Sequence, residues 1–463
     1  GSFNTIRNSL QFGTGIIDNK WAFDGRLSNI MSDGYIDRAS SNLQSYYLSG
    51  TYYGKKSMLK AVSFAGHEKT YQAWYGVPVG ALDTNRAYNP YNYENEVDDY
   101  RQSHYQLHYV YFPTKELKIN AALHYTRGLG FFEQYKGADK NSIINYFSKE
   151  SFSSYGLNDV VTPGGDTITE TDLIRRRWLD NHFYGAVFSA EYSTEKLNLI
   201  VGGGANQYIG GHYGEIIWAE FASNGAKGHR YYDNDASKND MNVYAKANYA
   251  ITDKFSVFGD FQVRNIAYSF LGFDNDLNNI DQTVKLSFIN PKAGVNYVLN
   301  ENHTAYGFFG IGNKEPNRND YTNSTPNSRP VHEQLMDIEL GYRATYKRFY
   351  ANLNLYAMEY KNQLIVTGEL NDVGAAIRQN VPNSYRRGVE LSAGILIHSR
   401  LSWTFNATYS MNKIAQFNEF IDDWDTGGQI EVVHSNTDIA FSPSIIAGSQ
   451  LAYTPLKSEK YGS

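Results

Sequence analysis

Between Glu333 and Phe417 apolar and polar side chains alternate strictly enough to fix the local structure. Ala351, Leu353, Leu355 and Ala357 alternate with Tyr350, Asn352, Asn354 and Tyr356. Val389, Leu391, Ala393, Ile395 and Ile397 do the same against Gly388, Glu390, Ser392 and Gly394, and Trp403, Phe405, Ala407, Tyr409 and Met411 against Ser402, Thr404, Asn406, Thr408 and Ser410. A period of two predicts β-strands with one oily and one wet face. Each run is about ten residues long, close to the roughly 9 to 11 that a tilted membrane strand needs and longer than the five or six of an ordinary soluble strand.

The same pattern recurs along the chain. It predicts strands at Ser9–Ile16, Trp21–Met31, Gln44–Tyr53, Met58–Lys69, Arg101–Phe112, Leu117–Phe131, Arg177–Tyr192, Leu197–Tyr208, Met241–Ile251, Phe255–Phe270, Thr283–Val298, Thr304–Asn313, Glu333–Tyr346, Tyr350–Lys361, Gly388–Ile397, Ser402–Asn412 and Ser444–Tyr453. That makes about seventeen. Their links alternate in length. Short ones fall at 18–20, 54–57, 113–116, 193–196, 252–254, 300–302, 347–348, 398–400 and 455–460. Long polar ones fall at 71–100, 132–176, 209–240, 271–282, 314–332, 366–384 and 418–443. Tight turns on one rim and long loops on the other predict an all-β, antiparallel, up-and-down transmembrane β-barrel. No linker or composition shift divides residues 1–463, which we read as one domain.

Composition sharpens this picture. With 15% aromatic residues, 39 of them Tyr, and a mean hydropathy of −0.51, no stretch approaches the roughly 18 apolar residues of a spanning helix. Polar loops with aromatic girdles suit an outer-membrane barrel, and also a secreted β-rich binding protein. A net charge of −6 gives no basic footprint for nucleic acid. Cys is absent, so thiolate chemistry is excluded. The opening residues hold no signal peptide, and an odd strand count would leave unpaired edges in lipid, so the sequence is expected to be a fragment of a longer precursor.

Three motifs resemble the barrel of a TonB-dependent outer-membrane receptor of the iron-complex branch. They are Gln11-Phe12-Gly13-Thr14-Gly15 with Ser32-Asp33-Gly34-Tyr35-Ile36-Asp37-Arg38; Lys314-Glu315-Pro316-Asn317-Arg318 with Glu333 to Arg343; and Asn380-Val381-Pro382-Asn383-Ser384-Tyr385-Arg386-Arg387-Gly388-Val389-Glu390. The resemblance implies a barrel of about 22 strands, of which this chain would hold the second to the eighteenth, without plug or TonB box. It further implies the outer membrane as location, with the TonB complex, the lipid bilayer, lipopolysaccharide and an iron-complex ligand as partners. The implied function is energised import of a ferric siderophore or other iron complex. Haem, cobalamin or oligosaccharide import, or a passive porin, are the alternatives.

No catalytic constellation stands out, and we expect no enzyme and no cofactor. The best ligand-binding candidates are loop aromatics and cations: Tyr71, Trp74, Tyr75, Arg86, Tyr88, Tyr91 and Tyr93, with Arg318, Asn319 and Tyr321 from another loop. Aromatic faces grip a bulky ligand and Arg supplies bidentate bonds to its oxygens. Three acidic loops, Asp233/Asp235/Asp240, Asp274/Asp276/Asn278/Asp281 and Asp422/Asp423/Asp425, are solvated charge or, less favoured, calcium ligands. His104 and His108 share a strand face but lie roughly 13 Å apart, too far for one metal ion. Gly202-Gly203-Gly204 lacks a phosphate-binding context and is expected to allow bending or close approach.

Overall fold

A computed structural model describes residues 1–137, 148–324, 329–370, 376–423, 425–426 and 428–455. Of the expected closing turn, all beyond Pro455 lies outside the described residues, as do parts of the links 132–176, 314–332, 366–384 and 418–443. The chain is almost wholly antiparallel β. Its strands are β1 Ile6–Ile17, β2 Trp21–Ser32, β3 Ser41–Tyr53, β4 Ser57–Tyr71, β5 Val97–Tyr111 and β6 Leu117–Lys136, then four short ones, β7 Glu150–Ser151, β8 Val160–Val161, β9 Thr167–Ile168 and β10 Glu170–Thr171. The long strands resume with β11 Leu173–Ser193, β12 Leu197–Ala219, β13 His229–Ala250, β14 Phe255–Gly272, β15 Gln282–Asn300 and β16 His303–Lys314. A short helix, α1 Arg318–Thr322, precedes β17 Glu333–Tyr346, β18 Phe349–Leu370, β19 Ala376–His398, β20 Leu401–Asp423, β21 Gly428–Asp438 and β22 Ile445–Tyr453. The contacts group the chain into two compact units, residues 1–190, 202–242 and 265–285, and residues 191–201, 243–264 and 286–463.

In the first unit β1 to β6 pair in sequence order as antiparallel ladders. The first hairpin closes over Asp18 and Asn19, both left-handed with φ of 50° and 53°, a conformation that Asp and Asn tolerate and that matches strand twist. In the second unit β15 to β20 pair in order. Its register puts Leu340, Leu355, Val389 and Tyr409 in one row and Tyr342, Leu353, Leu391 and Ala407 in the next. These rows are uncovered: Leu340 is 59% exposed and Tyr409 55%. A contiguous apolar face of that size needs an apolar environment. On the other face the ring of Tyr356 lies where a side chain at Gly388 would stand, which accounts for the glycine in that motif.

All seventeen expected strands are present, most of them longer at the end facing the long links. Beyond the four two-residue strands β7 to β10, the one additional long strand, β21, completes a single broken partner of β20: β22 pairs with Leu401 to Tyr409 and β21 with Lys413 to Asp423. The break is a built bulge, in which Asn412 donates to the carbonyls of Ser442 and Pro443 and Phe441 takes φ 56°. The three glycines 202–204 lie buried within β12, and Gly204 approaches Ala186 and Val187 of β11.

Candidate functional site

The link from β4 to β5 folds back instead of waving free, because its buried polar groups must find partners. Gln72, 1% exposed, donates its side-chain amide to the carbonyls of Val97 (3.0 Å) and Glu133 (3.1 Å) and accepts from Gln134 (3.1 Å). Asn89, 2% exposed, donates to the carbonyls of Asp37 and Gln72, both at 2.9 Å. Arg38 reaches across from the β2–β3 link and donates to the carbonyls of Tyr91 and Asn89 at 2.7 Å. A two-point guanidinium clamp of this kind fixes a loop that has no ladder of its own.

The clamp divides the expected site residues. Tyr71 donates to the Tyr93 carbonyl at 2.8 Å, and Tyr93 donates to Glu133 at 2.7 Å. Glu133 also accepts from Arg176 at 2.7 Å, so a buried carboxylate is paired and hydrogen-bonded. Tyr91 is 4% exposed, and burial raises its phenol well above the usual range. Its ring is packed inside the loop frame, which corrects its expected place on the ligand surface. Trp74 and Tyr75 are exposed; they lean on Phe132 (5.2 Å) and Tyr91 (5.3 Å) respectively. Arg86 is exposed and Tyr88 half-buried. Trp74, Tyr75 and Arg86 are therefore the side chains that this frame presents.

Arg318 and Tyr321 lie in the second unit, on α1. Asn317 and Asp320 close a reciprocal cap at its start, and Arg378 grips the Asp320 carboxylate with bonds of 3.1 and 2.8 Å. Tyr321 is 3% exposed, a second correction: it fills the link's interior. Arg318 is half-buried and Asn319 exposed.

The sequence reading missed a second set in the first unit. Residues 175–177 are three consecutive arginines followed by Trp178, where β11 extends past its expected start. Arg175 donates to Gln134 (3.0 Å) and Tyr155 (3.0 Å), Arg176 lies over Phe131 (4.3 Å), and Arg177 lies over Phe132 (5.8 Å). Trp178 stacks on Tyr213, whose other neighbour is the Arg230 guanidinium at 3.8 Å. Cation-on-ring contacts of this density build a polar-aromatic surface. Beneath it Phe152, Tyr155, Leu157, Leu173, Ile216, Tyr231 and Tyr232 form a buried core for the link 148–172. The RRRW run was the available signal.

Several of the remaining sequence candidates have local partners. Asp233 and Asp235 lie within β13, where Asp233 pairs with Arg230 at 2.7 Å. Asp274 accepts from the backbone N–H of Asp276 and Asn278, and Asp423 from that of Asp425. Among the described residues no group of three or more His, Asp or Glu is placed to hold a metal ion. His104 bonds to Thr126 and stacks on Phe64.

A family model described as TonB dependent receptor-like, beta-barrel, matches residues 5–455. The chain belongs to this family. It is a family of outer-membrane receptors, and no helix among the described residues is long and apolar enough to cross a membrane. No curated protein matches. Among solved structures, the siderophore receptor PiuA from Acinetobacter baumannii is similar at a TM-score of 0.66 and 12% identity, over 98% of this chain and 68% of that one. The ferric-catecholate import receptor Fiu from E. coli K12 gives 0.61 and 13%, over 98% and 68%. The ferric citrate transporter FecA gives 0.63 and 15%, over 98% and 62%. At such identities the likeness establishes the fold. The chain spans about two thirds of the length of these structures.

Proposed function

We propose that this chain is the barrel of a receptor that binds a ferric siderophore or other iron complex on its long-link rim and imports it with energy delivered by TonB. The observation that carries this reading is the family match along nearly the whole chain. The site chemistry supports it: Trp74, Tyr75 and Arg86 stand exposed on a rigid frame, next to a surface of rings and guanidinium groups. Flat rings suit the faces of a catecholate or other aromatic chelator, and guanidinium groups suit its anionic oxygens. The similar structures include receptors named for a ferric catecholate, a siderophore and ferric citrate, beside one named a copper transporter.

The test is uptake by the full-length protein in iron-limited cells lacking other receptors, offered a ferric tris-catecholate, ferric citrate or a copper salt. We expect uptake of an iron complex, and a loss of at least about tenfold when Trp74, Tyr75 and Arg86 are all changed to Ala, since each lost anchor is worth 1 kcal/mol or more. Uptake of copper alone would overturn the iron reading. Undiminished iron uptake by the triple variant would overturn the site.

A further inference from the structure

The three consecutive arginines of β11 are balanced unequally. Arg176 turns to the face where the buried Glu133 carboxylate accepts from it at 2.7 Å, so its charge is met. Arg175 and Arg177 turn the other way, as the pleat of the strand requires. Their partners there are uncharged: Arg175 donates to Gln134 and Tyr155, both at 3.0 Å, and Arg177 donates through Nε to the Tyr231 hydroxyl at 3.2 Å. Among the described residues neither guanidinium has a carboxylate within ion-pairing distance.

Lys136 adds a third cation to that face, which β6 meets with Phe132, Gln134 and Lys136 at alternate positions. Its side chain is 20% exposed, and its one carboxylate within ion-pairing distance among the described residues, Glu150, stands at 3.9 Å, too far for a hydrogen bond. Glu150 itself accepts from Tyr155 at 3.2 Å. The other acids nearby do not restore the balance. Glu96 is held neutral by burial up to about pH 8, and Asp172 lies on the opposite face, beside Gly137 and the Tyr135 hydroxyl that donates to it at 2.8 Å. Lys136, Arg175 and Arg177, all half-buried, therefore share one carboxylate. The shortage shows at Lys136: burial, and then the Arg175 charge, lower its ammonium to about 8, as for a cation short of anions.

We propose that Lys136 and Arg177 hold an oxyanion arm of the imported iron complex, with Arg175 behind them as fixed positive charge, so that the receptor selects net-anionic complexes over neutral ones. The ammonium offers a compact charge with three donors, and the terminal nitrogens of Arg177 are uncommitted because only its Nε is used. An anion there completes the charge balance that the chain leaves open. A neutral complex covers the same cations without compensating them, and this penalty is what separates the two classes. The proposal rests on the iron-complex reading for its cargo, whereas the anion site can be detected without iron.

The experiment places the full-length protein in lipid discs and measures acetylation of Lys136 by acetic anhydride across the alkaline range, using peptide mass spectrometry. The probes are ferric tris-catecholate and ferric citrate, which are anionic, a neutral ferric trihydroxamate, and citrate without metal. With no probe the labelling midpoint should fall near pH 8. An anion beside the ammonium favours its protonated form, and a rise of about one pH unit cuts the reactive fraction at the old midpoint from about a half to about a tenth, an about fivefold loss of labelling. We expect that loss with both anionic complexes and with citrate, and none with the trihydroxamate. Arg177→Gln should weaken binding of the anionic complexes about tenfold in fluorescence titrations, the scale of one charge-assisted hydrogen bond, and leave the trihydroxamate unchanged. Should Arg177→Gln not fold, judged by heat-shifted migration on gels, Lys136→Met is the second variant, with the same expected pattern. Equal loss of labelling with the neutral complex, or equal weakening of all three complexes by a folded variant, would overturn the selectivity. Labelling unchanged by every anionic probe would overturn the site. Protection by citrate but by no iron complex would overturn the iron cargo, and the selectivity with it, while upholding the anion site.

Discussion

The ladder from Glu333 to Met411 and the link from Gln72 to Glu96 are both rich in tyrosine, yet they use it by different rules. In the ladder a side chain's surroundings follow from parity. Leu353 and Leu355 lie on the uncovered apolar face, while Asn354 and Tyr356 lie on the other, bonded to Glu339 and Ser410. Backbone groups there are satisfied by the neighbouring strand, so nothing but the pleat decides where a residue points. In the link no ladder runs alongside, and a side chain's surroundings depend on which backbone carbonyl needs a donor. Tyr91 is interior and Tyr75, whose ring touches it, is exposed. Substitutions in the link should therefore act through a network, and substitutions in the ladder through parity alone.

The largest expected effect is in the network. Arg176→Leu leaves the Glu133 carboxylate, whose side chain is 2% exposed, with only the Tyr93 hydroxyl and no cation. Stranding a buried charge costs about 3–5 kcal/mol. The loss should show as proteolytic cleavage within 72–96 while the strands stay protected. A variant as resistant as the unaltered protein would mean that the link does not depend on this pair.

A smaller effect tests the ladder. Leu353→Arg places a charge on the apolar face and should destabilise the protein in lipid vesicles by about 2–4 kcal/mol, the range for Arg at a bilayer midplane. Asn352→Arg, one residue away on the opposite face, should cost less than about 1 kcal/mol. Urea unfolding of the two variants in the same vesicles decides it. Equal costs would mean that parity does not sort these residues between lipid and polar surroundings.

How much was legible in the sequence follows from the same contrast. The side-chain faces, seventeen of the long strands and the tight turns could be read because period two and residues such as Asp18 and Asn19 are local signals. The strand extensions were missed at β6, β11, β12 and β13, since beyond the apolar band the outer face no longer has to be oily and the alternation fades. Residues 133–136 and 173–176 are strand by pairing and not by pattern. Of the candidate site, the link was identified but its interior was not. Nothing in the local sequence distinguishes Tyr91 from Tyr88, because the groups that bury Tyr91 include Gln134, far along the chain. The β21 break was invisible for a related reason: it depends on Asn412 reaching a bulge on the neighbouring strand.

The most specific effect in the link is a dependence on pH. Glu96 is 1% exposed; one carboxylate oxygen accepts from the Tyr135 N–H at 3.3 Å, and the other is buried without a partner. Burial pushes its carboxyl from 4.5 up to about 8, so the folded link holds it neutral. A raised carboxyl makes folding most favourable below pH 4.5. That contribution is lost as pH climbs toward 8 and is level above it. Lys136 nearby acts in a different window. Burial, with the Arg175 charge second, lowers its ammonium from 10.5 to about 8, so its penalty is full below pH 8 and is relieved only between 8 and 10.5. Of these two groups, only Glu96 therefore gives a slope between pH 5 and pH 7.5. Glu96→Gln keeps an oxygen for Tyr135 and removes the titration, so amide hydrogen exchange at Gln72 and Tyr135, corrected for the intrinsic rate, should become independent of pH across that window. In the unaltered protein protection should fall as pH rises. The same fall in Glu96→Gln would place the titrating group elsewhere, and a fall confined to pH above 8 would mean that Lys136, not Glu96, governs the link.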